Sequence, residues 1–246
     1  MRKKGQREIV GIVMGLVFIA TIVIDWLTSL PVFPITVTLV AIACIVEIIS
    51  MQNYFDTCHY LDKSIRSTIA IYGEGLIILI ATASIWLVEY AYEGWVLAVF
   101  AIIFPVVTQN VLAYYVGKKM LPKVKGRVKS FLTFREFKHS PNKFLGVTIF
   151  TSVLSLSYAV IFAIINQPMC AIVATLGAIF ATVGDWLESR LKRLLRVKDS
   201  GELLRNGNSL TAKLERTIES HGGFLDRFDA LVTCFAISII PFLIFL

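Results

Sequence analysis

The chain has 246 residues, of which 57% are hydrophobic, with a formal net charge of +7 and a mean hydropathy of +0.75. Soluble domains are roughly 45–50% apolar, and here apolar runs of about 20 residues recur from end to end. A soluble globular domain is thereby excluded, and the expectation is one all-α, polytopic membrane domain spanning 1–246.

Seven spans are predicted, at 9–29, 33–51, 67–88, 94–116, 144–166, 168–187 and 228–246. The fourth reads as a long tilted helix or as a helix with a re-entrant piece. The basic tail before the first span lacks a small-residue cleavage site, so this span is expected to be retained. Asp25, Glu47 and Glu74 fall inside or near the edges of spans. Acids at membrane depth are functional candidates by default, against the plainer reading of a helix-end position. Gly73 and Gly75 beside Glu74 suit either a polar cavity or close helix packing.

All 24 Lys and Arg residues lie in the N-terminal tail, the loop after span two, the loop at 117–143 and the stretch after span six. The alternate loops near Pro31, Glu89 and Gln167 hold none. By the positive-inside rule the N-terminus is cytosolic. This partition accounts for the net charge without nucleic acid. The loop 117–143 interleaves cations with apolar residues, as an anchor on anionic headgroups does; the alternative is that some of these cations hold a phosphate. Ser140-Pro141 reads as a turn into span five. Cys44, Cys58, Cys170 and Cys234 form no CxxC pair and point to no zinc or disulfide framework.

The stretch 184–229 differs from the rest. Continued as a helix to Val197, span six places Asp185, Glu188, Ser189, Lys192, Arg196 and Asp199 within about 60° of one face. A solvated face with i,i+4 ion pairs accounts for Arg190 and Arg193. It accounts less well for Asp185, which directly follows an apolar run. After a polar spacer come His221, Gly222 and Gly223, then Asp226, Arg227 and Asp229. Asp226 and Asp229 stand at i and i+3 on the first turn of span seven, where carboxylates suit the helix dipole. The same pair beside Arg227 also suits Mg²⁺ and a phosphate, since Mg²⁺ is held by one or two carboxylates plus substrate phosphate oxygens. Chemistry alone thus leads to a Mg²⁺-assisted site for a phosphorylated lipid or nucleotide. No P-loop, HExxH, GxSxG or EF-hand pattern is present.

The ordered set Ser189, Lys192, Arg193, Lys198, Asp199, Ser200, Gly201, then His221, Gly222, Gly223, Asp226, Arg227, Asp229 resembles the signature of the phosphatidate cytidylyltransferase family. Gly184, Asp185 and Glu188 fit the same pattern. Ala113-Tyr114 with Gly117-Lys118, Ser140-Pro141 with Lys143, and Glu47 resemble further family elements. The resemblance implies condensation of CTP with phosphatidate to CDP-diacylglycerol and pyrophosphate. It implies Mg²⁺, with a second cation as an option, held by Asp199, Asp226 and Asp229 and supported by Asp185 and Glu188. Lys192, Arg193, Lys198 and Arg227 would hold phosphates, and His221 would orient a phosphate or a metal-bound water. Ser189, Gly222, Gly223 and Lys143 would line the substrate site. It further implies a homodimer in a membrane, the bacterial inner membrane by the chain's size, with the site facing the cytoplasm. The chain departs from the pattern in its spacer 205–220, which would have to loop away from the site, in Ser220 before His221, in Asn110 for an Asp, and in Phe144 and Leu145 or Gly146 for a Thr and a Glu. The competing readings are a CTP-dependent enzyme acting on another lipid or polyprenyl phosphate, and a non-catalytic or transporter-like relative.

Overall fold

The computed structural model describes residues 2–58, 65–134, 136–137, 140–197 and 225–245. The helices are α1 (Arg2–Thr28), α2 (Val32–Thr57), α3 (Ile65–Ala91), α4 (Trp95–Tyr115), α5 (Gly126–Leu132), α6 (Leu145–Ser155), α7 (Ser157–Ile164), α8 (Pro168–Leu194) and α9 (Leu225–Phe245). Among the described residues, six helices are long and apolar enough to cross a membrane, and a shorter apolar stretch, Gly15–Thr28, lies within α1. The chain is a polytopic helical membrane protein.

Several predicted boundaries shift for physical reasons. The fourth span is one continuous helix that passes Pro105 and ends in a π-turn, Val116–Met120. The fifth is two pieces, α6 and α7, broken at Leu156. The turn expected at Ser140-Pro141 is instead the start of a short strand, β2 (Ser140–Phe144), which pairs antiparallel with β1 (Glu136–Phe137).

The helix expected to reach Val197 stops at Leu194. The Val197 N–H donates to the Lys192 carbonyl and the Arg196 N–H to the Arg193 carbonyl, with Arg196 left-handed at φ 56°. This is a Schellman ending, and its apolar contact joins Val197 to Leu191 in one cluster. Arg196 therefore leaves the predicted stripe, and Asp199 lies outside the described residues.

The bundle is organised around α8, which packs against α9, α4 and α7; α9 packs in turn on α3. Small residues allow the close approaches. A side chain at Gly177 would lie 3.4 Å from the Ile102 carbonyl, and one at Gly184 would run into the Asp229 backbone. Gln109 ties three helices together, its Nε2 donating to Ser152 Oγ at 2.8 Å and Thr182 Oγ1 at 2.7 Å. A second apolar cluster (Cys44, Ile48, Met51, Ile71, Leu191 and Leu225 among its members) joins α2, α3, α8 and α9 where α8 ends and α9 begins.

Candidate functional site

Two stretches of the signature that are far apart in sequence meet where α8 crosses α9. The crossing depends on Gly184: a Cβ there would meet the Asp229 carbonyl oxygen and lie 2.6 Å from Thr233 Oγ1. Because Gly184 has no side chain, the two backbones touch. This places Asp185 and Glu188 of α8 beside the first turns of α9.

Glu188 is 1% exposed and binds Lys192 at 2.7 Å, one helical turn on. Four-residue spacing puts the two side chains on one face. The pair is more buried than a solvated surface ion pair, so the Lys192 ammonium is held in a fixed direction. Arg190 takes another route, lying 5.6 Å from the Trp186 ring centroid. Arg193 is exposed and Ser189 half-buried.

On α9, Asp229 is buried, and its Oδ1 accepts from the Ala230 N–H. Asp226 and Arg227 lie one turn earlier on the same helix. Their side chains, and the side chain of Lys143 on β2, are outside the described residues. Lys198, Asp199, Ser200, Gly201, the spacer 205–220, His221, Gly222 and Gly223 are outside them as well.

The N-terminus of α9 is held by a residue from the opposite end of the sequence. Glu47 Oε2 accepts from the Leu225 N–H at 3.0 Å, with Glu47 1% exposed. The first N–H groups of a helix have no partner within it, and a carboxylate is favoured there by charge as well. Sequence reasoning singled out Glu47 as an acid at membrane depth and again by resemblance, and did not find this contact. The available signal was an acid inside an otherwise apolar run, which must find a partner. Glu47, Glu74 and Asp229 all lie within electrostatic reach of the Cys44 thiol, so α2, α3 and α9 each bring a carboxylate to this end. Glu74 is 3% exposed. Among the described residues, a Cβ on Gly73 would meet nothing within 4 Å and one on Gly75 would make an ordinary 3.8 Å contact, so neither glycine is required by a close approach there. Among the described residues, no three His, Cys, Asp or Glu side chains form a metal-holding group.

Asp25 has a local role. Its Oδ2 accepts from the Phe33 N–H at 2.9 Å, closing the turn between α1 and α2. The departure at Gly146 has a packing reason: a side chain there would run into the Phe131 carbonyl, so glycine lets α5 dock on α6.

The sequence model of the Cytidylyltransferase family matches residues 57–245, most of the chain. The chain is also similar to a Bacillus subtilis (strain 168) protein named phosphatidate cytidylyltransferase, with 34% identity over 139 residues. That similarity covers 54% of this chain and 41% of the relative, so the chain spans less than half the length of the curated relative it matches. No solved structure matches significantly.

Proposed function

Because this chain belongs to the cytidylyltransferase family, we propose that it condenses CTP with phosphatidate to give CDP-diacylglycerol and pyrophosphate, at the end of the bundle where α8 crosses α9. The observation that carries this reading is the contact of Gly184 with Asp229, which joins the two halves of the signature. The name of the Bacillus subtilis relative supports phosphatidate as the acceptor.

In the proposed reaction a phosphate oxygen of phosphatidate attacks the α-phosphorus of CTP. A new P–O bond forms, the bond from the α-phosphorus to the oxygen bridging to the β-phosphorus breaks, and pyrophosphate leaves with that oxygen. Such a transfer depends on alignment and on neutralising phosphate charge, and it needs no protein nucleophile. The Glu188–Lys192 pair aims an ammonium without leaving its charge unbalanced. Arg193, Lys198 and Arg227 would supply further cations for the triphosphate, and His221, Gly222 and Gly223 directly precede α9 in the sequence. Glu47 fixes where α9 starts, and so the level at which Asp226, Arg227 and Asp229 emerge.

The acidic positions suit Mg²⁺ in donor chemistry, being hard carboxylate oxygens of which Asp229 is buried. Asp226 and Asp229, joined by Asp199, would hold it, and when bound it would neutralise phosphate oxygens and polarise the α-phosphorus. The distribution of basic residues in the sequence supports a cytoplasmic placement of this end, and CTP would enter there.

The purified protein is tested with Mg²⁺, CTP labelled at either the α- or the γ-phosphate, and phosphatidate or a polyprenyl phosphate as acceptor. Label from α-labelled CTP alone should enter lipid, and with phosphatidate as acceptor. Transfer to the polyprenyl phosphate but not to phosphatidate would replace the proposed acceptor while keeping the family chemistry.

A further inference from the structure

A concave, predominantly apolar groove of about 330 Å³ runs between α1 and α4 with α9 as its floor. Its walls include Gly15, Ile19 and Ile22 on α1 and Phe104 and Val107 on α4, and its floor includes Phe228. The volume is within the range of small-ligand sites, about 300–1,000 Å³. From Gly15 to Ile22 on α1, and from Phe100 to Val107 on α4, the groove covers about 10 Å at 1.5 Å per residue. That is about a third of a 30 Å hydrocarbon core.

Three features distinguish this groove from the apolar surface any membrane protein shows to lipid. Its floor includes Phe228, the residue directly before Asp229, whose backbone meets Gly184 at the α8–α9 crossing. Its floor is packed, with the Phe228 ring tilted against Phe18 at 5.4 Å between ring centroids. Its mouth is left open by Gly15, where an added Cβ would meet no atom of the described residues within 4 Å. In addition, Lys192 and Arg193 lie in the last turn of α8, beside the start of α9, the side where an anionic headgroup above the groove would sit.

We infer that this groove seats one acyl chain of phosphatidate, with the headgroup phosphate directed past Phe228 to the site. The inference rests on the proposed function for the identity of the lipid. The groove holds the substrate against sideways diffusion while its phosphate is aligned, so the groove contributes to capture of long-chain substrate and not to the chemical step.

The test compares dioleoyl with dihexanoyl phosphatidate in mixed micelles. Gly15→Leu fills the mouth and adds helix propensity; Val107→Trp fills it from α4. Both should lower the dioleoyl-to-dihexanoyl ratio of kcat/KM about tenfold, through KM. That is about 1.4 kcal/mol, the transfer free energy of roughly two methylenes. Leu16→Phe, at a neighbouring lipid-facing position outside the groove, should leave the ratio within about twofold. An unchanged ratio in both filling variants, or equal losses with the two chain lengths, overturns the groove. A second readout does not depend on turnover: phosphatidate with a diazirine in one acyl chain should label peptides of α1, α4 and α9 in the wild type and lose that label in Gly15→Leu. Labelling elsewhere, or equal competition by phosphatidylcholine of the same chain length, overturns the proposal, the latter in favour of a bulk-lipid site. Groove labelling in a protein that forms no CDP-diacylglycerol would remove the catalytic reading and leave the groove standing.

Discussion

At one end of the bundle the Asp25 carboxylate accepts from the Phe33 N–H; at the other the Glu47 carboxylate accepts from the Leu225 N–H. Both acids are almost fully buried, and both satisfy an amide at a helix start that would otherwise have no partner. Asp25 reaches eight residues along the chain and closes a turn. Glu47 reaches 178 residues and sets the start of the helix that carries Asp226, Arg227 and Asp229. The α8 cations Lys192 and Arg193 lie at the second end, where α8 stops and α9 begins. Burial of an acid in a membrane protein therefore does not by itself mark a functional site. The marker is burial together with convergence of distant charged segments on one level of the bundle.

Four tests, on five variants, break or sharpen this contrast, from the strongest effect to the weakest. Asp226→Asn should lower CDP-diacylglycerol formation at least about a hundredfold, as loss of a metal carboxylate does, while membrane insertion and the melting temperature in detergent stay as in the wild type. Wild-type activity in that variant would remove the metal assignment.

Gly184→Val should come next. It forces α8 off Asp229 and Thr233, with an overpacking cost of about 1–3 kcal/mol, so activity and thermal stability should fall together. A stable variant with full activity would show that the crossing does not build the site.

Glu188→Gln removes the charge that holds Lys192. A hydrogen bond to a charged group contributes about 1.5–3 kcal/mol, and the expected loss is about tenfold in kcat/KM for CTP. An effect confined to stability would make the pair structural.

The smallest effect is the most diagnostic. Asp25→Leu and Glu47→Leu each leave one helix-start amide unpaired, so both should lower stability by about 1–3 kcal/mol. Only Glu47→Leu should also lower kcat measured well below its melting temperature. Equal kcat in the two variants would erase the distinction between the two ends.

Much of the architecture was legible in the sequence, because uninterrupted apolar length is itself the physical requirement for crossing hydrocarbon. The pairing of Glu188 with Lys192 was legible from four-residue spacing. Other features were not. The stop of α8 at Leu194 has no glycine to announce it, since Arg196 takes the left-handed position that glycine usually fills. The break at Leu156 has no proline. The reach of Glu47 to Leu225 is a tertiary contact, invisible to any local pattern. The role of Gly184 could have been suspected from a glycine at the end of an apolar run, but its partner could not. The lysine, aspartate and histidine positions between Lys198 and Gly223 were named from resemblance and lie outside the described residues, so their roles remain part of the proposal.

The central claim is that the end of the bundle built by Gly184, Glu188 and Asp229 transfers a cytidylyl group to phosphatidate. Its most direct test is to incubate the purified wild-type protein with phosphatidate, Mg²⁺ and CTP labelled at the α-phosphate, and to measure labelled lipid and free pyrophosphate together. The account predicts CDP-diacylglycerol and pyrophosphate in equal amounts. Absence of both, under conditions in which the Bacillus subtilis relative forms them, would contradict it.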